Sequence, residues 1–326
     1  YSGGATCPSL LLEPSRTNLI AYSEYYAAGQ WANTDVSLTT NHALSPEGKM
    51  NASLWEFTTT NTLAMIYYVL GGVTTGATYT QSYYIKSLSG DLTLRIGTSG
   101  GIVGEYEDIT ATSEWQRFVF TGVASATTEY PRIQNINGTQ GAQILVYGAQ
   151  MEAGSYPTSY IPTYGVSQTR AQDVCGNAGD AGTFNDSEGV LYAEIAALAN
   201  DGTNKSISIN NGGLSDYLFF RYRSNNQFQI IFRSGNNNIV NEVFTLSNNL
   251  DFNKIAFSYK LNEFKVFVNG LQIGSTITSG VVFGTTINSL DFDAFNGTNK
   301  FYGKTKQVLY FPTALSDADL TTLTTL

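Results

Sequence analysis

The sequence predicts an all-β chain of two antiparallel β-sandwiches with a short C-terminal helix. Charged residues make up only 13% of the 326, against roughly 25% in an average soluble domain. Tyr (21) and Phe (18) are abundant, and aromatic and β-branched side chains favour strands as Ala, Leu, Glu and Lys favour helices. Short segments alternate apolar and polar side chains with period two, divided by Gly-Gly, Ser-Gly and Asn-Gly pairs. A length of 326 residues exceeds one ordinary core and points to two domains.

In the first half, "TYTQSYYIKS" puts Tyr79, Gln81, Tyr83 and Ile85 on one face and Thr80, Ser82, Tyr84 and Lys86 on the other. "EWQRFVFTGV" opposes Trp115, Arg117 and Val119 to Gln116, Phe118 and Phe120. "AQILVYGAQME" opposes Ile144 and Val146 to Leu145 and Tyr147. No long segment of helical period interrupts them, and short strands at regular spacing favour a sandwich. In "GSYPTSYIPTYG" the residues before Pro157 and Pro162 are pushed into extended geometry. That predicts the end of the sheet and a stiff exit toward a hinge.

The second half opens with a strand carrying Val190, Tyr192 and Glu194 against Leu191, Ala193 and Ile195. "SDYLFFRYRSNNQFQIIFRSGNNNIV" reads as two strands joined at Ser224-Asn225-Asn226. "KIAFSYKLNEFKVFVNGLQIGS" reads as a three-stranded meander. Its second turn, Asn269-Gly270, suits a two-residue type I′ hairpin, which needs positive φ at both positions. "ALSDADLTTLTTL" carries helix chemistry: Ser316 as N-cap, Asp319 three residues on, Leu315 and Leu320 at staple spacing, and Leu320 and Leu323 to dock.

The net charge is −9 with no basic run, so no nucleic-acid partner is expected. No stretch of 18 or more apolar residues occurs, so no membrane insertion by a helix is expected. The only histidine is His42, in a turn-like "NHALSPEG", and there is no CxxC. Zinc-finger sites are thereby excluded, and histidine-based nucleophile activation has little to work with. Cys7 and Cys175 flank the first half. They can close it with a disulfide or remain two buried thiols, and both readings stay open.

Several segments carry a family resemblance. "CPSLLLEPSRTNLIAYSE" resembles the opening, and "GAQMEAGSYPTSYIPTYGVSQTRAQDV" the close, of a module in phage virion proteins of tail fibres and appendages. "SPEGKMNAS" and "EWQRFVFTG" fall between them in order. That module is similar to carbohydrate-binding jelly rolls. "SEGVLYAEI", "KIAFSYKLNEFKVFVNGLQIG" and "VLYFPTALSDADLTTLTT" resemble the concanavalin A-like, or laminin-G-like, lectin domain that follows it. The resemblance implies a jelly-roll-like domain over residues 1–170 and a concanavalin-like domain over 171–326. It implies a non-catalytic component of a tail fibre, head fibre or appendage on the virion surface, outside cells. Its partners would be a host surface polysaccharide or glycan, other virion proteins and copies of itself, as a trimer. A purely structural decoration or spacer subunit and an accessory module of a polysaccharide-degrading enzyme are the rival expectations.

Sugars present flat C–H faces to aromatic rings. Trp31, among small and polar residues in "AGQWANTD", and the preceding Tyr25 and Tyr26 are the first-domain candidates for carbohydrate binding, with packing as the alternative for Trp31. Tyr217, Tyr222, Phe295 and Tyr302 are those of the second, although strand aromatics ordinarily pack. Trp55 and Trp115 are expected in the core. The acids of "GEYEDIT" (Glu105, Glu107, Asp108) and "LDFDAF" (Asp291, Asp293) read first as solvated loop acids. A hydrolase would need two carboxylates at a fixed separation across the sugar, which proximity in sequence does not supply. Both fold types carry structural calcium by resemblance; Asp291, Asp293 and Asn296 are the expected ligands, being of the oxygen type that cation takes. Arg16 and Arg170 are expected to form structural ion pairs at the base of the first domain.

Overall fold

The computed structural model describes residues 8–98 and 106–326. The chain divides into two compact units, Ser15–Ala171 and Tyr1–Pro14 together with Gln172–Leu326. Residues 8–14 were expected within the first domain. They belong to the second unit because strand Leu10–Leu12 pairs antiparallel with Gly303–Phe311. No helix among the described residues is long and apolar enough to cross a membrane.

The first unit is a jelly-roll-like sandwich of two five-stranded antiparallel sheets. One runs Tyr106–Ala111, Leu92–Gly97, Arg132–Gln134, Met65–Tyr68, Trp31–Thr34; the other Gln116–Val123, Thr78–Ser87, Gln143–Ala153, Ala52–Phe57, Val36–Ala43. The core holds Trp55, Phe57, Ile66, Tyr83, Ile85, Leu94, Ile96, Ile133, Ile144 and Val146. The alternation of 78–87 is borne out: Tyr79, Tyr83 and Ile85 face that core. Along Gln143–Ala153 the parity changes midway. Ile144 and Val146 face the core, and so do Ala149 and Met151, because a β-bulge shifts the register between Tyr147 and Gln150. Gly148 sits in it at φ +64, a conformation glycine adopts without penalty. Two expectations fail here. Trp115 is half-buried at the turn before its strand and outside the core, and His42 is an exposed residue of strand Val36–Ala43 rather than of a loop.

Residues 154–165 do not leave the unit as a stiff exit. They fold back over it and are tied down by buried polar side chains. Glu152, fully buried, accepts from the Thr158 amide at 3.0 Å, from the Thr158 hydroxyl and from Gln150 Nε2 at 2.7 Å. Gln150 Oε1 accepts from the Ile161 amide at 2.6 Å. Asn18 donates to the carbonyls of Ala149 and Ile161 (3.1 and 2.9 Å) and accepts from the amides of Ile20 and Met151 (both 3.1 Å). Thr163 and Ser23 exchange two bonds, of 2.9 and 2.8 Å. The opening and closing segments of the module therefore hold each other. Arg16 lies over the Tyr156 ring at 5.2 Å and is the cross-strand neighbour of Arg170.

The second unit pairs a six-stranded sheet with a five-stranded one. The first runs Leu10–Leu12, Gly303–Phe311, Glu188–Ala197, Asn253–Lys260, Glu263–Val268, Leu271–Ile277; the second Asn237–Thr245, Gln227–Ser234, Tyr217–Tyr222, Lys205–Asn210, Ser289–Asp291. Leu191, Ala193 and Ile195 point between the sheets with Phe220, Phe228, Phe232, Phe257 and Tyr259. Val190 and Tyr192 point outward, where helix Asp317–Thr324 covers them with Leu320 and, at its edges, Leu315 and Leu323. Ser316 caps that helix as expected, accepting from the Asp319 amide at 3.2 Å. Asn269 and Gly270 adopt φ of 48° and 86°, the I′ geometry.

Candidate functional site

One polar depression, about 460 Å³ in volume, opens on the second unit. That lies within the range of ordinary ligand sites. The edge strand Ser289–Asp291 builds it, paired with Lys205–Asn210 on one side. On the other, the chain at Ala178 exchanges backbone hydrogen bonds with Leu290 (3.1 and 2.7 Å), and Phe292 donates to the Cys175 carbonyl at 3.1 Å. Asn177, Asn210, Asn211, Ser289, Asp291, Asp293 and Phe295 line it.

Asp291 acts as a tether. Its Oδ1 accepts from the Asn177 amide at 2.6 Å, and its Oδ2 accepts from Asn210 Nδ2 and Ser289 Oγ, both at 2.8 Å. A Cβ at position 176 would lie 2.5 Å from Asp291 Oδ1, which is why Gly176 stands there. Asn210 and Asn211 turn their Oδ1 atoms onto the amides of Gly212 and Gly213 (2.8 and 2.9 Å). These asparagine turns shape the rim.

Asp293 is more open. Its Oδ1 accepts from the Gly297 amide at 3.2 Å, and Oδ2 takes no hydrogen bond among the described residues. Burial lifts its carboxyl above the ordinary carboxylate value and the Asp291 charge adds to this, while the Gly297 amide and Lys300 oppose it. Phe295 is half-buried beside it. Its ring stacks on Tyr217 at 4.7 Å and 17°, and its backbone sits at φ +44, the left-handed region that bulky side chains rarely enter. The bond from its amide to Ser208 Oγ, 3.3 Å, helps hold it there.

The expected calcium ligands do not fit a calcium ion. That cation takes about six to eight oxygens, yet both Asp291 oxygens already accept from N–H or O–H donors. Asn296 spends Oδ1 on its own turn, accepting from the Thr298 amide and hydroxyl at 3.2 and 2.6 Å. No group of three or more His, Cys, Asp and Glu side chains suited to a metal occurs among the described residues. Of the other acids, Asp108 pairs with Arg95 at 2.6 Å, and Glu105 lies outside the described residues. So does Cys7, and with it the possible pairing with Cys175.

The aromatic candidates separate by burial. Tyr222 is 1% exposed and donates to the Ile195 carbonyl at 2.8 Å, so it is core and not a sugar platform. Tyr26, 3% exposed, meets Trp31 and Trp55 edge-on at 4.9 and 5.2 Å and is likewise corrected to packing. Trp31 is half-buried against the core and donates its indole N–H to the Tyr22 carbonyl at 2.8 Å; packing is its role. Tyr217, 5% exposed, supports Phe295 from below and offers no free face. Tyr302 donates to Gln172 Oε1 at 2.8 Å. Tyr25 alone of these is open, at 48%. Sequence reasoning found Phe295, Asp291 and Asp293, which the fold brings together. It missed Asn177, Asn210 and Asn211, whose only signal was a glycine within two residues.

Residues 180–321 match the family described as the concanavalin A-like lectin/glucanases superfamily. A search of the curated proteins found no match. Among solved structures, the chain is similar to the CBM40 of the Ruminococcus gnavus IT-sialidase bound to alpha2,3 sialyllactose. The TM-score is 0.38 at 15% identity, over 43% of this chain and 84% of that one. It is similar to the CBM22-1-CBM22-2 tandem of Paenibacillus barcinonensis Xyn10C, with TM-score 0.33 and 9% identity over 97% and 100%. A third is the mouse laminin alpha1 chain, domains LG4-5, with TM-score 0.30 and 10% identity over 79% and 92%. The second unit thus has the concanavalin A-like fold, carried on an all-β chain with one short C-terminal helix.

Proposed function

We propose that this chain is a non-catalytic carbohydrate-recognising component of a phage virion, a fibre or appendage exposed outside cells, and that the depression around Phe295 holds the sugar. The observation that carries the glycan reading is Phe295. An aromatic ring kept in a disfavoured backbone conformation, at the rim of a depression of amides and carboxylates, supplies the C–H-stacking face and hydroxyl-binding groups that sugars need. Backbone strain of this kind gathers at functional sites. The concanavalin-like match over 180–321 supports the same reading. A non-catalytic role is favoured because Asp291 already accepts three hydrogen bonds that fasten it into the fold as a tether. The phage setting, the virion partners and a trimeric state rest on the resemblance of the segments bracketing residues 15–171.

A glycan array followed by calorimetry on the full chain tests the proposal. Binding should fall at least about tenfold, or about 1.4 kcal/mol, in Phe295→Ala. No bound glycan, or a variant that binds as well as the parent, sinks the glycan reading and leaves the spacer role. Immunogold labelling of purified phage particles tests the setting separately, and unlabelled particles would count against it.

A further inference from the structure

A second cluster of polar groups lies on the first unit, around the bridge between Tyr22 and Tyr164. Glu24 accepts from the Tyr160 hydroxyl at 3.0 Å through Oε1 and from Asn51 Nδ2 at 2.9 Å through Oε2. Glu47 Oε2 meets Lys49 Nζ at 3.2 Å. Tyr164 is 74% exposed, with its hydroxyl in the field of Glu24, Glu47 and Lys49. Beneath lies Tyr147, 1% exposed. Its hydroxyl is aimed at Glu47 and Glu24 but closes no hydrogen bond of ordinary geometry. Asn51 Oδ1 is also buried without a partner.

Polar atoms left so are costly unless something satisfies them. Their character says what is missing. Asn51 Oδ1 is an acceptor, the Tyr147 hydroxyl can donate or accept, and two carboxylates face a single lysine, so the cluster is rich in acceptors and locally negative. An acidic sugar would be repelled. An ammonium brings three donors and a positive charge, and an exposed tyrosine ring attracts both a cation and the flat face of a sugar.

We propose that this niche is a second binding site, for a protonated amino group carried on a sugar ring, that is, a hexosamine unit. The ammonium donates to Glu47 and Glu24, and Tyr164 lies against the ring's C–H face. The site shares no residue with the depression around Phe295 and stands whether or not that depression binds glycan.

Calorimetry on the full chain, with a fully de-N-acetylated glucosamine oligomer and its N-acetylated counterpart as probes, tests this. The amino form should bind at least about tenfold tighter, weaken with added salt, and lose about tenfold in Glu47→Gln and in Tyr164→Ala. Because Tyr164 is exposed, an unchanged melting temperature in Tyr164→Ala serves as the fold control. Equal affinity for the two oligomers overturns the proposal, as does no binding to either, or binding indifferent to both variants. A calcium-induced response at Tyr147 without a response to the amino oligomer overturns it too.

Discussion

In residues 15–171 the chain ends are fastened by buried polar groups: Asn18, Ser23, Gln150, Glu152, Thr158 and Thr163 are all at most 1% exposed. The second unit is closed differently. A short helix seals one sheet through Leu320, and a separate strand, Leu10–Leu12, completes that sheet's edge. Polar fastening is directional, so each bond fixes one register and fails abruptly when a partner is lost. Apolar closure is graded, since loss scales with area removed.

Three substitutions sharpen this contrast. Asn18→Ala should be the most damaging, because it strands two carbonyls and two amides at once; urea unfolding should show a loss of about 3–5 kcal/mol. A loss under about 1 kcal/mol would mean that water replaces the side chain and the fastening is not directional. Leu320→Ala should cost about 2–4 kcal/mol, with loss confined to the second unit if the two melt separately in calorimetry. The smallest effect concerns Asp293→Asn. The Asp293 carboxyl is lifted above its ordinary value, so its folded pKa exceeds the unfolded one. It destabilises fully above both values, and the penalty disappears as pH falls below the unfolded value near 3.9. The variant should melt slightly higher than the parent at neutral pH and at the same temperature in acid. A lower melting point at neutral pH would show that the carboxylate is needed by its neighbours.

Much of the fold was legible where alternation along a strand sorts its two faces. Leu191, Ala193 and Ile195 against Val190 and Tyr192 is such a case, as is the I′ turn at Asn269-Gly270. The bulge at Gly148 was not, because one added residue reverses the parity on which the reading depends. Strands Lys205–Asn210 and Asn237–Thr245 were passed over: the first is polar yet buried on both faces, and the second is largely exposed. The polar fastening of the first unit was invisible for a related reason. Patterning assigns Glu152 and Asn18 to the surface, and only the fold shows that 154–165 returns over them. In the site, Phe295 was legible as an aromatic among polar residues. The asparagines beside it were not, because their positions depend on pairing with a strand 81 to 114 residues away.

The strand Leu10–Leu12 also sets an order of events. Leu12 lies opposite Gly303, about 290 residues later, and since each doubling of a loop costs only about 0.6 kcal/mol the separation is cheap at equilibrium. In time it is not. A ribosome delivers Leu10–Leu12 long before Gly303–Phe311 exists, so three leucines must wait unpaired while the whole of residues 15–171 is made. Two of them, Leu10 and Leu11, remain 45% and 38% exposed even when paired. A waiting apolar strand and a late, open sheet edge are the ingredients of strand exchange between neighbouring chains. Strand Leu10–Leu12 is thus the element of the second unit that is made furthest ahead of its partner.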